Sequence, residues 1–223
     1  MRTLTKEMQA ELTPEKAIQL LVDGNKRFVS NLKLNRNLLQ QVNETSQGQH
    51  PFAIVLSCID SRTSAELIFD QGLGDIFSVR IAGNIVNEDI LGSMEFACKV
   101  AGSKLIVVLG HTACGAVKGA CDDVKMGNLT GLIDKIKPAM VDLRYNGDRS
   151  SANPAFVDMV AERNVLNMME EIQNRSSIVR EMIENEEIGI VGGMYNVETG
   201  TVDFYDRAPQ KNQILDEKLA GKH

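Results

Sequence analysis

Tryptophan is absent from this chain of 223 residues, and histidine occurs only three times, cysteine four times and proline five. Each scarcity narrows the chemistry. His223 ends the chain and His50 precedes Pro51 in a polar stretch, so only His111 sits in a patterned context. Cys58, Cys98, Cys114 and Cys121 are irregularly spaced in a long chain, which argues against a disulfide scaffold and for metal binding, catalysis or burial. No apolar run approaches the ~20 residues that span a bilayer. The opening residues, MRTLTKEMQAELTPEKAIQLL, contain acids and lack an apolar core segment. They do not read as a signal peptide, and a cytoplasmic location is expected. A basic excess is missing as well. The net charge of -6 opposes general nucleic-acid binding, because neutralising phosphates needs a basic surface. Small anions remain possible ligands where an arginine is local.

What is present is an ordinary globular balance, 43% hydrophobic and 24% charged. TPEKAIQLLVDGNKRFVSN (13–31) reads as an amphipathic helix with Thr13 as cap and Pro14 in the first turn. Residues 32–50 are rich in Asn and Gln and read as an irregular arm. FAIVLSC (52–58) and KLIVVLGH (104–111) are short continuous apolar runs, the pattern of strands buried on both faces of a parallel sheet. DIFSVRIAGN (75–84) reads as a further strand closed by a Gly-Asn turn, with helices expected over 63–70, 88–102 and 112–124. Residues 129–186 read as mostly helical, and 188–206 as two strands joined by a turn at Glu198 to Gly200. Strands alternating with helices predict an α/β fold with a mostly parallel sheet, whose ligands bind beyond the carboxyl ends of the strands.

Cys58 and His111 both fall at such ends, and Cys114 follows His111 by three residues across a strand-to-helix turn. Two thiolates and an imidazole suit a borderline-soft ion such as Zn²⁺, and three protein ligands with one open position is the catalytic arrangement. Cys98 lies among Phe96, Ala97 and Val100 and reads as core; Cys121 reads as buried or half-buried. A two-thiolate site neutralises the ion's charge and acidifies water less than a three-histidine site, so a further group has to help hold hydroxide. In SCIDSR (57–62), Asp60 is placed to accept a hydrogen bond there, and Arg62 to clamp that carboxylate. Asp60 could instead ligate the ion as a fourth arm. Two other readings stay open. Cys58 could be a thiol nucleophile activated by His111, although C-x3-R is too short for a phosphatase cradle. The cluster could also stabilise a binding protein that catalyses nothing.

CIDSR (58–62) and HTACG (111–115) together resemble the paired motifs of the β-class carbonic anhydrases, as do DGNKRF (23–28), RIAGNIV (80–86) and LGHTACGAVKGA (109–120). The resemblance runs from about residue 13 to 206. It implies one zinc per chain held by Cys58, His111 and Cys114, and a catalytic dyad of Asp60 and Arg62. The fold it implies is a four-stranded parallel sheet plus one antiparallel strand, flanked by helices. An N-terminal helical arm (1–50) would wrap a partner, followed by a zinc-binding catalytic domain (51–210) and a tail (211–223). The implied reaction is the reversible hydration of carbon dioxide to bicarbonate and a proton by hydroxide on zinc, in a homodimer or higher even-numbered homo-oligomer. Hydrolysis of CS₂ or COS on the same site is the near alternative. Gln49, Phe77 and Phe96 fall at the family's substrate-pocket positions, and the N–H near Gly115 is placed to receive a substrate oxygen. Arg80 and Tyr195 match two of three residues of a regulatory bicarbonate site found in some members. Val55 stands where that site has tryptophan, so the open form, with Asp60 on Arg62, is expected.

Overall fold

The computed structural model describes residues 3–141 and 143–205, so the expected tail (211–223), His223 and the last five residues of the expected catalytic domain (206–210) lie outside the described residues. Five strands form one sheet in the order β2-β1-β3-β4-β5. They are β1 (Ala53–Ser57), β2 (Ile76–Arg80), β3 (Leu105–His111), β4 (Gly189–Tyr195) and β5 (Val202–Phe204). The first four are parallel and β5 runs antiparallel to β4, as expected from the alternation of short apolar runs with helices.

The continuous apolar runs explain themselves by a core on each side of the sheet. Ile54 and Leu56 of β1 and Cys58 just beyond it, with Ile106 and Val108 of β3, join the larger cluster. The intervening Ala53 and Val55, with Leu105, Val107 and Leu109, join the second cluster. Residues of opposite parity therefore meet different helices, and polar side chains enter β1 and β3 only at their carboxyl ends, as Ser57 and His111.

The helices over the second cluster are α2 (Pro14–Val29), with Thr13 capping Lys16 N–H, and α4 (Ala65–Ile68). Before them comes α1 (Lys6–Ala10), and between them α3 (Leu38–Thr45). The resemblance implied a helical arm over 1–50, but the residue pattern marked neither of these two helices. The irregular stretch at 32–50 contains α3 because Asn37 caps Gln40 N–H and the buried Gln41 accepts from Leu73 N–H, so polar residues carry the tertiary contact. α2 packs Ala17 and Leu21 onto the chain's own sheet, whereas Leu38, Leu39 and Val42 of α3 face outward.

The DGNKRF stretch has a structural explanation. A Cβ on Gly24 would fall 1.8 Å from Phe69 O, so only glycine lets α2 approach α4. Asn25 donates to Ile68 O and Gly200 O and accepts from Val202 N–H, stitching three segments together. Arg27 pairs with the buried Asp70 at 2.6 Å, and Arg36 pairs with its other oxygen at 2.6 Å. Burial pushes the Asp70 carboxyl up, but the hydrogen bonds from Arg27 and Arg36 outweigh it and hold the pKa below the ordinary 3.8. A depressed carboxyl stabilises the fold above its unfolded pKa, and the contribution is lost as pH falls from 3.8 through the lower folded value. Asp70→Asn leaves Arg36 buried without its counter-charge. The expected loss is about 3 kcal/mol in urea unfolding at neutral pH, the low end for a broken buried pair because Arg27 is partly solvated. The difference from wild type should shrink below pH 3.8.

The larger cluster is covered by α5 (Glu88–Glu95) with its π-helical continuation (Phe96–Val100), α6 (Gly115–Cys121), α7 (Gly127–Asp134), α8 (Lys137–Val141), α9 (Pro154–Arg175) and α10 (Ser177–Glu184). Cys98 is core, and burial pushes its thiol up to about 12; Cys121 is half-buried. Among the described residues, no helix is long and apolar enough to cross a membrane.

Candidate metal centre

Parallel pairing puts the carboxyl ends of β1 and β3 side by side, with Ser57 opposite Leu109. Cys58 leaves β1 one residue later, and His111 is the last residue of β3. Beyond His111 the chain reverses through Ala113 at φ 55, an uncommon conformation for a residue with a Cβ. Three bonds hold it there: Thr112 N–H to Tyr195 O at 3.0 Å, Val197 N–H to Thr112 Oγ1 at 3.1 Å, and Ala113 N–H to Asp158 Oδ1 at 3.0 Å. Cys114 then sits at the cap of α6, turned back toward β1.

The Sγ atoms of Cys58 and Cys114 and a ring nitrogen of His111 all lie within 4.8 Å of one another, and all three residues are buried. His111 Nδ1 is 2.9 Å from Thr112 O, which fits an Nδ1–H donor and leaves Nε2 bare. Nε2 is buried and has no hydrogen-bond partner. An unsatisfied buried nitrogen is costly, and a metal ligand bond is what this one lacks. Two sulfurs and an imidazole are the donor set zinc prefers, and three ligands leave a fourth position open.

The two thiols divide their protons unequally. The hydrogen bond from Cys114, helped by the N–H groups of Asp60 and Gly83, outweighs burial and brings the Cys58 thiol down to about 4. Cys114 is pushed up because its proton serves Cys58 and because it is buried. The pair thus holds one negative charge readily and the second only against a nearby cation, which a metal ion provides.

Asp60 lies outside this cluster and is engaged by Arg62. Arg62 Nε donates to Oδ1 at 2.9 Å, Nη2 to Oδ2 at 2.8 Å, and the Arg62 backbone N–H to Oδ1 at 3.0 Å. The guanidinium hydrogen bond keeps the Asp60 carboxyl well below the usual carboxylate range. The loop beneath is braced. Thr63 Oγ1 donates to Cys58 O and Asp60 O at 3.0 and 2.9 Å, and Arg80 donates to the same two carbonyls at 3.0 and 2.6 Å. Arg80 is therefore occupied in holding the Cys58–Arg62 loop. Tyr195, at the end of β4 opposite His111, is buried.

Gly115 opens α6 immediately after Cys114 and is exposed. The other pocket candidates are not gathered at the cluster. Gln49 lies before the amino end of β1, in a shallow groove with Val42, Thr45 and Leu73. Phe77 pairs with Ile54, four residues before Cys58, which is about 13 Å along the strand. Phe77 and Phe96 meet edge to face at 6.3 Å and line an open groove of about 690 Å³ that includes none of the three ligand residues. Among the residues shaping the site, Thr63, Gly83, Asp158 and Asn164 carried no signal in the sequence that tied them to it. Gly83 was visible only as part of a strand-ending Gly-Asn turn and of the RIAGNIV stretch, neither of which gave it a task at the site.

Comparison with known proteins returns one family. A family model described as carbonic anhydrase matches residues 53–202. Carbonic anhydrase 2 of Mycobacterium tuberculosis (strain ATCC 25618 / H37Rv) is 36% identical over 201 residues, covering 86% of this chain and 93% of that protein. The carbonic anhydrase of Mycolicibacterium smegmatis is 35% identical over 197 residues, with the same coverage of 86% and 93%. Among solved structures, the β-carbonic anhydrase CafA of Aspergillus fumigatus superimposes with a TM-score of 0.69 over 91% of this chain and 97% of that one, at 23% identity, and shares the fold.

Proposed function

The chain belongs to the β-class carbonic anhydrases, and from that premise we propose that it interconverts carbon dioxide and bicarbonate at a zinc ion held by Cys58, His111 and Cys114. The observation that carries this reading is the buried, unpartnered His111 Nε2 facing two thiols within 4.8 Å, beside an Asp–Arg pair. When bound, zinc supplies the Lewis acidity that makes water a nucleophile near neutral pH.

The chain's own residues do the rest. Asp60 accepts a hydrogen bond from the nucleophile and aims its lone pair at the substrate carbon. Arg62 keeps Asp60 ionised and away from the ligand position it would otherwise take. The Gly115 N–H, free at the start of α6, receives a substrate oxygen. The proton leaves to solvent, since His111 is committed as a ligand and His50 lies in the loop before β1.

Gln49, Phe77 and Phe96 are too far along the sheet to line their own chain's centre, so we infer that they act across an even-numbered homo-oligomer. Phe96 is 53% exposed beside the unpaired edge of β2, and the outward Leu38, Leu39 and Val42 give the arm an apolar face to lay on a second copy.

Zinc content and CO₂ hydration, measured on one preparation with CS₂ as parallel substrate, test the reading. One zinc per chain with CO₂ hydration is expected. Turnover of CS₂ alone would move the assignment to CS₂ or COS hydrolysis, and full activity without zinc would return Cys58 to the role of nucleophile.

A further inference from the structure

Helix α9 carries a buried polar residue with no part in the chemistry above. Asn164 is 1% exposed, on a helix face that also buries Val160, Ala161, Val165 and Met168. A carboxamide there is costly unless bonded. Its Nδ2 donates to Gly83 O at 2.9 Å in a buried bond. Gly83 in turn donates its N–H to Cys58 Sγ at 3.3 Å. Gly83 has φ 66 and ψ 19, and a Cβ would meet Ile136 Cδ1 at 2.5 Å. Only glycine fits, and glycine is also the residue least able to hold a conformation by itself. What fixes it is external: Asn164 holds its carbonyl side while the sulfur receives its N–H.

We infer that Asn164 is a positioning residue for the metal centre. It holds Gly83 so that the Gly83 N–H stays on the Cys58 sulfur, and so sets how strongly that thiolate donates to the ion. The inference rests on the zinc reading of the Cys58–His111–Cys114 cluster. An N–H on a thiolate withdraws electron density from the sulfur. In a centre with two thiolates, the charge left on the metal depends on how much density each sulfur gives up. Outer partners of this kind change metal affinity by about 10–100-fold when removed.

The test uses the whole chain with cobalt(II) in place of zinc, reading the sulfur-to-cobalt charge-transfer band, and zinc affinity by chelator competition. Asn164→Leu keeps the branched outline at a somewhat larger volume and removes the donor; Asn164→Ser falls short of Gly83 O without adding bulk and carries the reading if the leucine variant does not fold. Both should move the band to longer wavelength and weaken zinc binding by about 10–100-fold. Ile172→Ala, fully buried on the same helix and about 12 Å further along it, reports loss of packing alone and should leave band and affinity unchanged. An unchanged band and affinity in folded Asn164 variants, or an equal shift in Ile172→Ala, overturns the inference. A wild-type protein that shows no sulfur-to-cobalt band sinks the metal reading itself, which is a different result.

Discussion

Asp60→Asn should lower CO₂ hydration by roughly 10²-fold or more while the protein still carries one zinc per chain. The size follows from what the substitution leaves. The wild-type carboxylate accepts three hydrogen bonds from Arg62 and keeps acceptor capacity for the nucleophile. An asparagine side chain has the same shape but only one acceptor oxygen. That oxygen cannot satisfy Arg62 and orient the nucleophile together, and the amide nitrogen turns a donor toward a guanidinium that also only donates. Zinc should remain because Asp60 stands outside the ligand cluster. Hydration rates and metal content measured together give the answer. Wild-type activity in a zinc-loaded Asp60→Asn protein would remove Asp60 from the mechanism.

Cys114→Ser should act on the metal first and on activity through it. A serine hydroxyl is harder than a thiol and is not ionised at neutral pH, so it replaces a soft anionic donor with a neutral oxygen. Cys114 also supplies the proton that lets Cys58 stay ionised, so the loss reaches the second sulfur. Zinc affinity should fall by more than the ~10–100-fold that follows removal of an outer partner. Dialysis against a chelator, followed by metal analysis, reads this directly. Zinc retained at the wild-type level would mean that Cys114 is not a ligand.

Much of the architecture was legible before any coordinates. The runs at 52–58 and 104–111 are apolar without alternation, and only a strand buried on both faces tolerates that. Cys58 and His111 end those runs, so a parallel sheet necessarily brings them to one edge. The arm was harder. α3 has neither a long apolar stripe nor a strong stop, and it is held by Asn37 and by Gln41 on Leu73 N–H, contacts that a polar sequence does not announce. DGNKRF stood out as a motif but gave no hint of its task, which is to seat α2 on α4 and on the β4–β5 turn.

The sequence by itself determined the fold class and the three residues whose chemistry suits zinc, because donor type and strand-end position are both written in local order. It also placed Asp60 within reach of Arg62, since two residues on one loop cannot be far apart. Tertiary structure decided what distance in sequence conceals. Pairing of β1 with β3 closes 53 positions to under 4.8 Å. Residues of α9 some fifty positions beyond the histidine then brace the site from two sides, Asp158 at Ala113 in the histidine loop and Asn164 at Gly83, whose N–H meets Cys58 Sγ. Phe77 and Phe96, expected at the centre, lie beside each other and away from it, because the register that pairs Phe77 with Ile54 sets them a strand's length from Cys58. Local order names the reacting groups, and packing between distant segments decides which of them meet.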